Sequence, residues 1–229
     1  MKKLYGIYGC AGMGRETYPL IKAQLEKSQS TSSEYEIVYI DDGDVEPIIK
    51  GTPVYNFQDF LNQPAEERFA TIAIAESQLR EKLTANCTEA GVQMYDVRAE
   101  NVLTYDNVQI GEGSLLCPFV TLTTDIQIGR GFHANIYSYV AHDCIIGDFV
   151  TFAPRVNCNG NIIIEDYAYI GTGAVIKQGA PGRPLRIGKG AVVGAGAVVT
   201  KNVPPGITVF SNPAVPLTEK NLEIRRDRE

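Results

Sequence analysis

His142 and Asp143 stand side by side in the segment YVAHDCIIGDF, and the chain holds one other histidine, His133. Imidazole titrates near neutral pH, which suits it to take a proton from an attacking nucleophile. A carboxylate beside it selects the ring tautomer and steadies the charged form. His133 is a second candidate, without an acidic neighbour. Asn135, seven residues before His142, offers a carboxamide that either holds a substrate or caps a corner of the chain.

These residues lie in a repeat. From Ile110 the chain divides into hexads, beginning IGEGSL, LCPFVT and LTTDIQ, and the frame holds for twelve units. Five residues, 182–186, then intervene before IGKGAV, VGAGAV and VTKNVP resume the count. The first position is Ile, Leu or Val except at Ala134, Phe152 and Cys158; the fifth is small or Val except at Ile126, Phe132 and Ile162. Such a period specifies a parallel β-helix in which three hexads make one coil of eighteen residues, about five coils in all. The small fifth position is expected to turn the corner. Eighteen residues after His142 comes Gly160, in NCNGN, so the two should lie on adjacent rungs about 4.8 Å apart. A base and a backbone N–H at that separation can flank one carbonyl, the amide holding the developing oxyanion. Adjacent side chains on a strand point to opposite faces, so the use of Asp143 beside His142 requires a corner between them.

The first part of the chain has a different rhythm. KLYGIYG, EYEIVYIDD, FATIAIA and VQMYDV read as strands; a helix through about Lys27, a short helix at FQDFLN and a helix at SQLREKLTANCTEAG read as the connections. Strand–helix alternation predicts a small parallel α/β sheet. GCAGMGRE follows the first strand and brings Gly9, Gly12 and Gly14 to a helix N-terminus, a setting that favours anions. Asp41 and Asp42 end the second strand, where a ribose-binding acid sits in dinucleotide folds. A nicotinamide-dependent oxidoreductase is therefore a rival reading, although four strands leave room for one nucleotide and not two. The expected organisation is an α/β lobe over 1–98, a β-helix over 99–216 and a charged tail over 217–229.

A net charge of −6 argues against nucleic acid as a partner. Five cysteines without a C-x-x-C pair suggest free thiols, no metal site and a cytoplasmic setting. No stretch has the length of a membrane span, and the N-terminus does not read as a signal peptide.

YGCAGMGRE, YIDD, VAHDCIIGD, CNGN, IGTGAVI, VVGAGAVVTKNVPPG and SNPA together resemble the hexapeptide acyltransferases, specifically the sialic acid O-acetyltransferase NeuD family with its PglD-like nucleotide-sugar N-acetyltransferases. The resemblance implies a left-handed β-helix behind a Rossmann-like lobe, a homotrimer and acetyl-CoA as donor. It implies His142 as general base, Asp143 as its orienting acid and Gly160 as the amide on the thioester carbonyl. Asp41 and Asp42, with Gly12, Met13 and Gly14, then face the nucleotide sugar, and Gly171, Gly173 and Gly179 line the pantetheine groove. Lys201, Arg183 and Arg186 are candidates for coenzyme A phosphates by charge alone. Met13 replaces a histidine of several relatives, Ser211 a glycine, and Val215 a basic residue. The expected activity is acetylation of the amine of a nucleotide-linked aminodeoxy sugar, for surface glycan synthesis. Acetylation of a sialic acid or polysaccharide hydroxyl is the alternative within this fold, and a binding module with an inactive prism the alternative outside enzymes.

Overall fold

A computed structural model of the protein describes residues 2–28 and 34–210. Ser211, Val215 and the expected charged tail lie outside the described residues.

The lobe opens with β1 (Lys3–Tyr8), α1 (Gly12–Lys27) and β2 (Tyr35–Ile40). β1 is almost continuously buried and is paired in parallel on both edges, which accounts for its unbroken apolar run. A hairpin of β3 (Ile48–Ile49) and β4 (Thr52–Tyr55) follows, then α2 (Phe57–Asn62), β5 (Arg68–Ile72), α3 (Ser77–Glu89) and β6 (Gln93–Met94). The sheet order is β3-β4-β2-β1-β5-β6. The hairpin was not expected. Its two-residue turn, Lys50–Gly51, has both φ angles positive, and lysine is a weak signal for that conformation.

VQMYDV, expected as one strand, belongs to two bodies. Gln93–Met94 closes the lobe sheet against β5, whereas Val97–Arg98 pairs with Leu115–Leu116 as the first rung of the prism. From Val97–Arg98, Leu103–Thr104 and Val108–Ile110 the chain climbs as three parallel sheets of seven, six and five strands. The architecture fits a left-handed parallel β-helix carrying an N-terminal α/β lobe. The stack begins before Ile110 and runs beyond the five coils counted from there.

Register follows the coil length. His133 pairs with Thr151, and Tyr139 with Asn157. The inserted residues bulge between Gly179 and Leu185, after which Leu185 rejoins the ladder opposite Ile162. First-position residues from Leu116 to Val199 form the core, each aliphatic side chain burial contributing roughly 1.5–3 kcal/mol. The exceptions to the pattern compensate one another: Phe132 and Phe152 meet edge to face at 5.2 Å beside the small Ala134.

The corners are turned at the fourth position, not by the small fifth residue. Phe119, Asp125, Tyr137, Asp143, Phe149, Arg155, Asn161 and Tyr167 all have φ between 54° and 64°. This left-handed conformation is costly for most side chains, and Asn and Asp tolerate it best.

Arg80 of α3 fastens the lobe to the prism. It is 1 % exposed and donates to Gly131 O (3.0 Å), Phe149 O (2.7 Å) and Thr151 Oγ1 (2.9 Å) on the prism, and to Ile74 O and Ala75 O on the lobe. No helix among the described residues is long and apolar enough to cross a membrane.

Candidate active site

His142 and Asp143 occupy a prism corner just above the strand Tyr139–Val140. The left-handed φ of 57° at Asp143 swings its carboxylate back toward the preceding ring, meeting the requirement for a corner. His142 Nδ1 and Asp143 Oδ2 are 2.7 Å apart, and both side chains remain accessible at 45 and 56 % exposure. With Nδ1–H donated to the carboxylate, Nε2 carries a free lone pair.

Gly160 lies one rung above, facing that ring. A Cβ at this position would sit 2.5 Å from His142 Cε1 and 2.6 Å from Nε2, so only glycine allows the approach. Asn161 N donates to His142 O at 3.0 Å, tying the two rungs together. Beneath them the buried Cys144 thiol donates to Asn159 O at 3.2 Å and to His142 O at 3.5 Å. All five cysteines are free and buried.

His133 is not part of this group. It is wholly buried in the prism wall, and burial, reinforced by the Arg80 charge, holds its pKa well below 6.5. Apart from a contact with the Ile72 backbone, its ring nitrogens lack hydrogen-bond partners among the described residues. It is a core residue whose surroundings disfavour the charged form. Asn135 accepts the Ile136 N–H at 2.8 Å through its own side-chain oxygen.

The three glycines of the following coil differ from one another. Gly171 spends its N–H on Val193 O and packs under Gly194 and Ala195, so a side chain there would strike the next rung. Gly179 is pressed against Asn161 O and donates to Gly160 O. Gly173 has φ of 70° with open space beyond its Cα. The inserted loop adds a cleft of ≈ 540 Å³ lined by Lys177, Gly179, Arg183 and Lys201. Among the described residues neither Arg183 nor Lys201 has an ion-pair partner, whereas Arg186 turns to Glu165 at 3.7 Å. Lys177 joins this group unforeseen; its only signal was its place one residue past a strand end.

On the lobe, Asp41 and Asp42 sit at the end of β2 on a cavity of ≈ 180 Å³ shared with Tyr8, Gly9, Ile74 and Leu79. Asp41 accepts from Cys10 N (3.2 Å), Cys10 Sγ (3.1 Å) and Gly43 N (3.0 Å). Desolvation pushes its pKa up, but these donors together bring it below the ordinary carboxylate value. Asp42 accepts from the Tyr8 hydroxyl and from Phe57 N at 2.8 Å. Burial foremost, and Asp42 next, keep Tyr8 protonated as a donor. Gly14 allows α1 to touch Gly9 O, where a Cβ would lie at 1.9 Å, while nothing crowds Gly12. Met13 packs against the lobe core.

The chain is similar to GDP-perosamine N-acetyltransferase of Escherichia coli O157:H7, with 49 % identity over 92 % of this chain and 95 % of that protein. It belongs to the nucleotide-sugar N-acetyltransferases of the hexapeptide-repeat type. The transferase is also similar in structure to WeeI of Acinetobacter baumannii AYE, with 55 % identity, a TM-score of 0.87, and coverage of 93 % of this chain and 99 % of that one. The acetyltransferase domain of PglB from Neisseria gonorrhoeae FA1090, solved with acetyl coenzyme A, matches at 27 % identity and a TM-score of 0.77 over 95 % of this chain and all of that one. No family model matches the chain. The transferase is thus an acyltransferase, and the nicotinamide reading of the glycine loop gives way to that family.

Proposed function

We propose that the transferase moves the acetyl group of acetyl-CoA to the amine of a GDP-linked aminodeoxy sugar, with GDP-perosamine as the first substrate to try. The observation that carries this reading is the close pairing of a His142–Asp143 dyad with Gly160 on the adjacent rung. The name of the 49 % identical relative supports the acceptor, and the acetyl coenzyme A complex of the PglB domain supports the donor.

His142 Nε2 takes a proton from the amine as its nitrogen attacks the thioester carbonyl. The Gly160 N–H, which has no acceptor among the described residues, stabilises the oxyanion. As the C–S bond breaks, the proton passes from the imidazolium to the departing sulfur, leaving an amide and a thiol. Asp143 keeps the ring in the required tautomer throughout.

Asp41 and Asp42, already braced by donors of their own, accept from the base and ribose of the nucleotide, with Gly12, Met13 and Gly14 along the same edge. Lys177, Arg183 and Lys201 receive the phosphates of coenzyme A, whose pantetheine arm runs past Gly171, Gly173 and Gly179, and Asn135 holds the acceptor. The working molecule is a cytoplasmic homotrimer, its sites lying in grooves between prisms, and its product feeds surface glycan synthesis.

The test is thiol release from acetyl-CoA with GDP-, UDP- and dTDP-linked amino sugars, with free sialic acid as the hydroxyl control. Rapid release with a GDP-linked amino sugar is expected. His142→Ala should fold and lose about 100- to 10,000-fold in kcat. Activity confined to sialic acid, or wild-type turnover by His142→Ala, would reject the reading.

A further inference from the structure

We propose that the Asn159 carboxamide is a positioning residue: it substitutes for its own backbone N–H in the β-ladder and thereby holds the Asn159–Gly160 backbone in place before His142. Its effect on turnover rests on the acetyl-transfer reading above.

The sheet containing Tyr139–Val140 provides an internal comparison. In it, the residue after four of the six strands donates its N–H to the coil above: Tyr105 to Leu122 O (3.0 Å), Thr123 to Val140 O (3.0 Å), Ala141 to Cys158 O (2.8 Å) and Lys177 to Val199 O (2.9 Å). Asn159 occupies the same place, and among the described residues its N–H makes no such bond. Ile176 O, the acceptor due to it, instead receives Asn159 Nδ2 at 2.7 Å. The amide orientation is determined by its partners, because a carbonyl oxygen only accepts. Oδ1 is therefore turned to the Tyr139 hydroxyl, 2.9 Å away.

Asn159 is held at a third point by the Cys144 thiol on its carbonyl. One residue after Gly160 the chain returns to the ladder through Asn161 N and His142 O. The departure is thus confined to Asn159: the Gly160 N–H has no acceptor among the described residues, but neither have those of Thr124 and His142 at the same place in the coils before it. Ile176 is fully buried, and a buried ladder carbonyl requires a donor. Without the carboxamide, the donor that the ladder register assigns to Ile176 O is the backbone N–H of residue 159, and moving it inward draws Gly160 away from the ring.

The test compares wild type with Asn159→Ala, Asn159→Asp and Tyr139→Phe in steady-state kinetics, and compares crystal structures of wild type and Asn159→Ala. Misplacing the oxyanion donor is expected to lower kcat about 100-fold in Asn159→Ala, with KM for both substrates within about threefold and the shape of the pH profile retained. Asn159→Asp keeps the shape but cannot donate to Ile176 O, and should fall as far. Wild-type kcat in either variant, or a loss carried by KM, overturns the proposal. If Asn159→Ala does not fold, Tyr139→Phe decides: about tenfold lower kcat at unchanged KM supports the role, and wild-type kcat refutes it. Should wild type itself acetylate no amino sugar, the functional reading fails separately. The structures then judge the placement: residue 159 N moved onto Ile176 O in Asn159→Ala upholds it, and an unmoved backbone refutes it.

Discussion

At the scale of single residues, the site depends on what is missing from Gly160 as much as on what His142 carries. Gly160→Ala adds one carbon 2.5 Å from the imidazole, and the ring must turn to escape it. Turning breaks the 2.7 Å contact between Nδ1 and Asp143 and redirects Nε2. The backbone at Gly160 is not left-handed, so alanine adds no conformational strain of its own. Gly160→Ala is therefore expected to keep its melting temperature while losing about 100-fold in kcat, the usual consequence of misplacing a reacting group. Equal turnover by the two proteins would mean that the ring has another working position. Coil arithmetic brought His142 and Gly160 together from the sequence. The role proposed for Asn159 had no sequence signal, because side-chain replacement of a ladder bond leaves no periodic trace.

At the scale of elements, the hexad is a device for repeating one corner. The aliphatic first position and the small fifth position were legible because apolar packing repeats every coil. The left-handed fourth position was not, since its occupants range from Asp143 to Phe149 to Arg155 and share a conformation without sharing a chemistry. Arg155 tests the cost of that conformation. It is exposed with φ of 61°. Arg155→Gly should raise stability by about 0.5–1 kcal/mol, and Arg155→Val should lower it by at least as much. Paired thermal melts would reveal this, and an unchanged or lowered melting temperature for the glycine variant would show that the arginine side chain contributes more than its backbone costs. The hairpin at Ile48–Tyr55 and the division of VQMYDV escaped prediction for a related reason: strands of two to four residues are too short to display a period.

At the scale of the whole molecule, one arginine and one histidine couple lobe to prism. Arg80 satisfies carbonyls of both bodies, and burial lowers its pKa only to about 10, so it remains charged at neutral pH. Arg80→Ala orphans several buried acceptors at once. It is expected to cost about 3 kcal/mol or more, read as a lower melting temperature or a separate unfolding step of the lobe. His133 adds a pH dependence. Its folded pKa lies below its ordinary 6.5, so below pH 6.5 the unfolded chain binds a proton that the folded chain refuses. The associated stability is complete above that pH and declines below it, by up to about 1.4 kcal/mol per pH unit. Denaturant melts at pH 7 and pH 5 should show wild type losing more stability than His133→Leu; equal losses would mean that His133 is protonated inside the fold.

The sequence by itself determined the repeat, the α/β character of the first ninety or so residues, the glycine facing His142 and the resemblance that agrees with the chain's family. All of these follow from local pattern or from a constant coil length, and both can be counted along a chain. Only the tertiary structure decided that His133 is buried, that Arg186 is paired with Glu165 while Arg183 and Lys201 have no ion-pair partner among the described residues, and that Asn159 leaves its ladder. Burial, ion pairing and hydrogen-bond exchange depend on which groups surround a residue, and those groups come from other coils and, at His133, from the lobe.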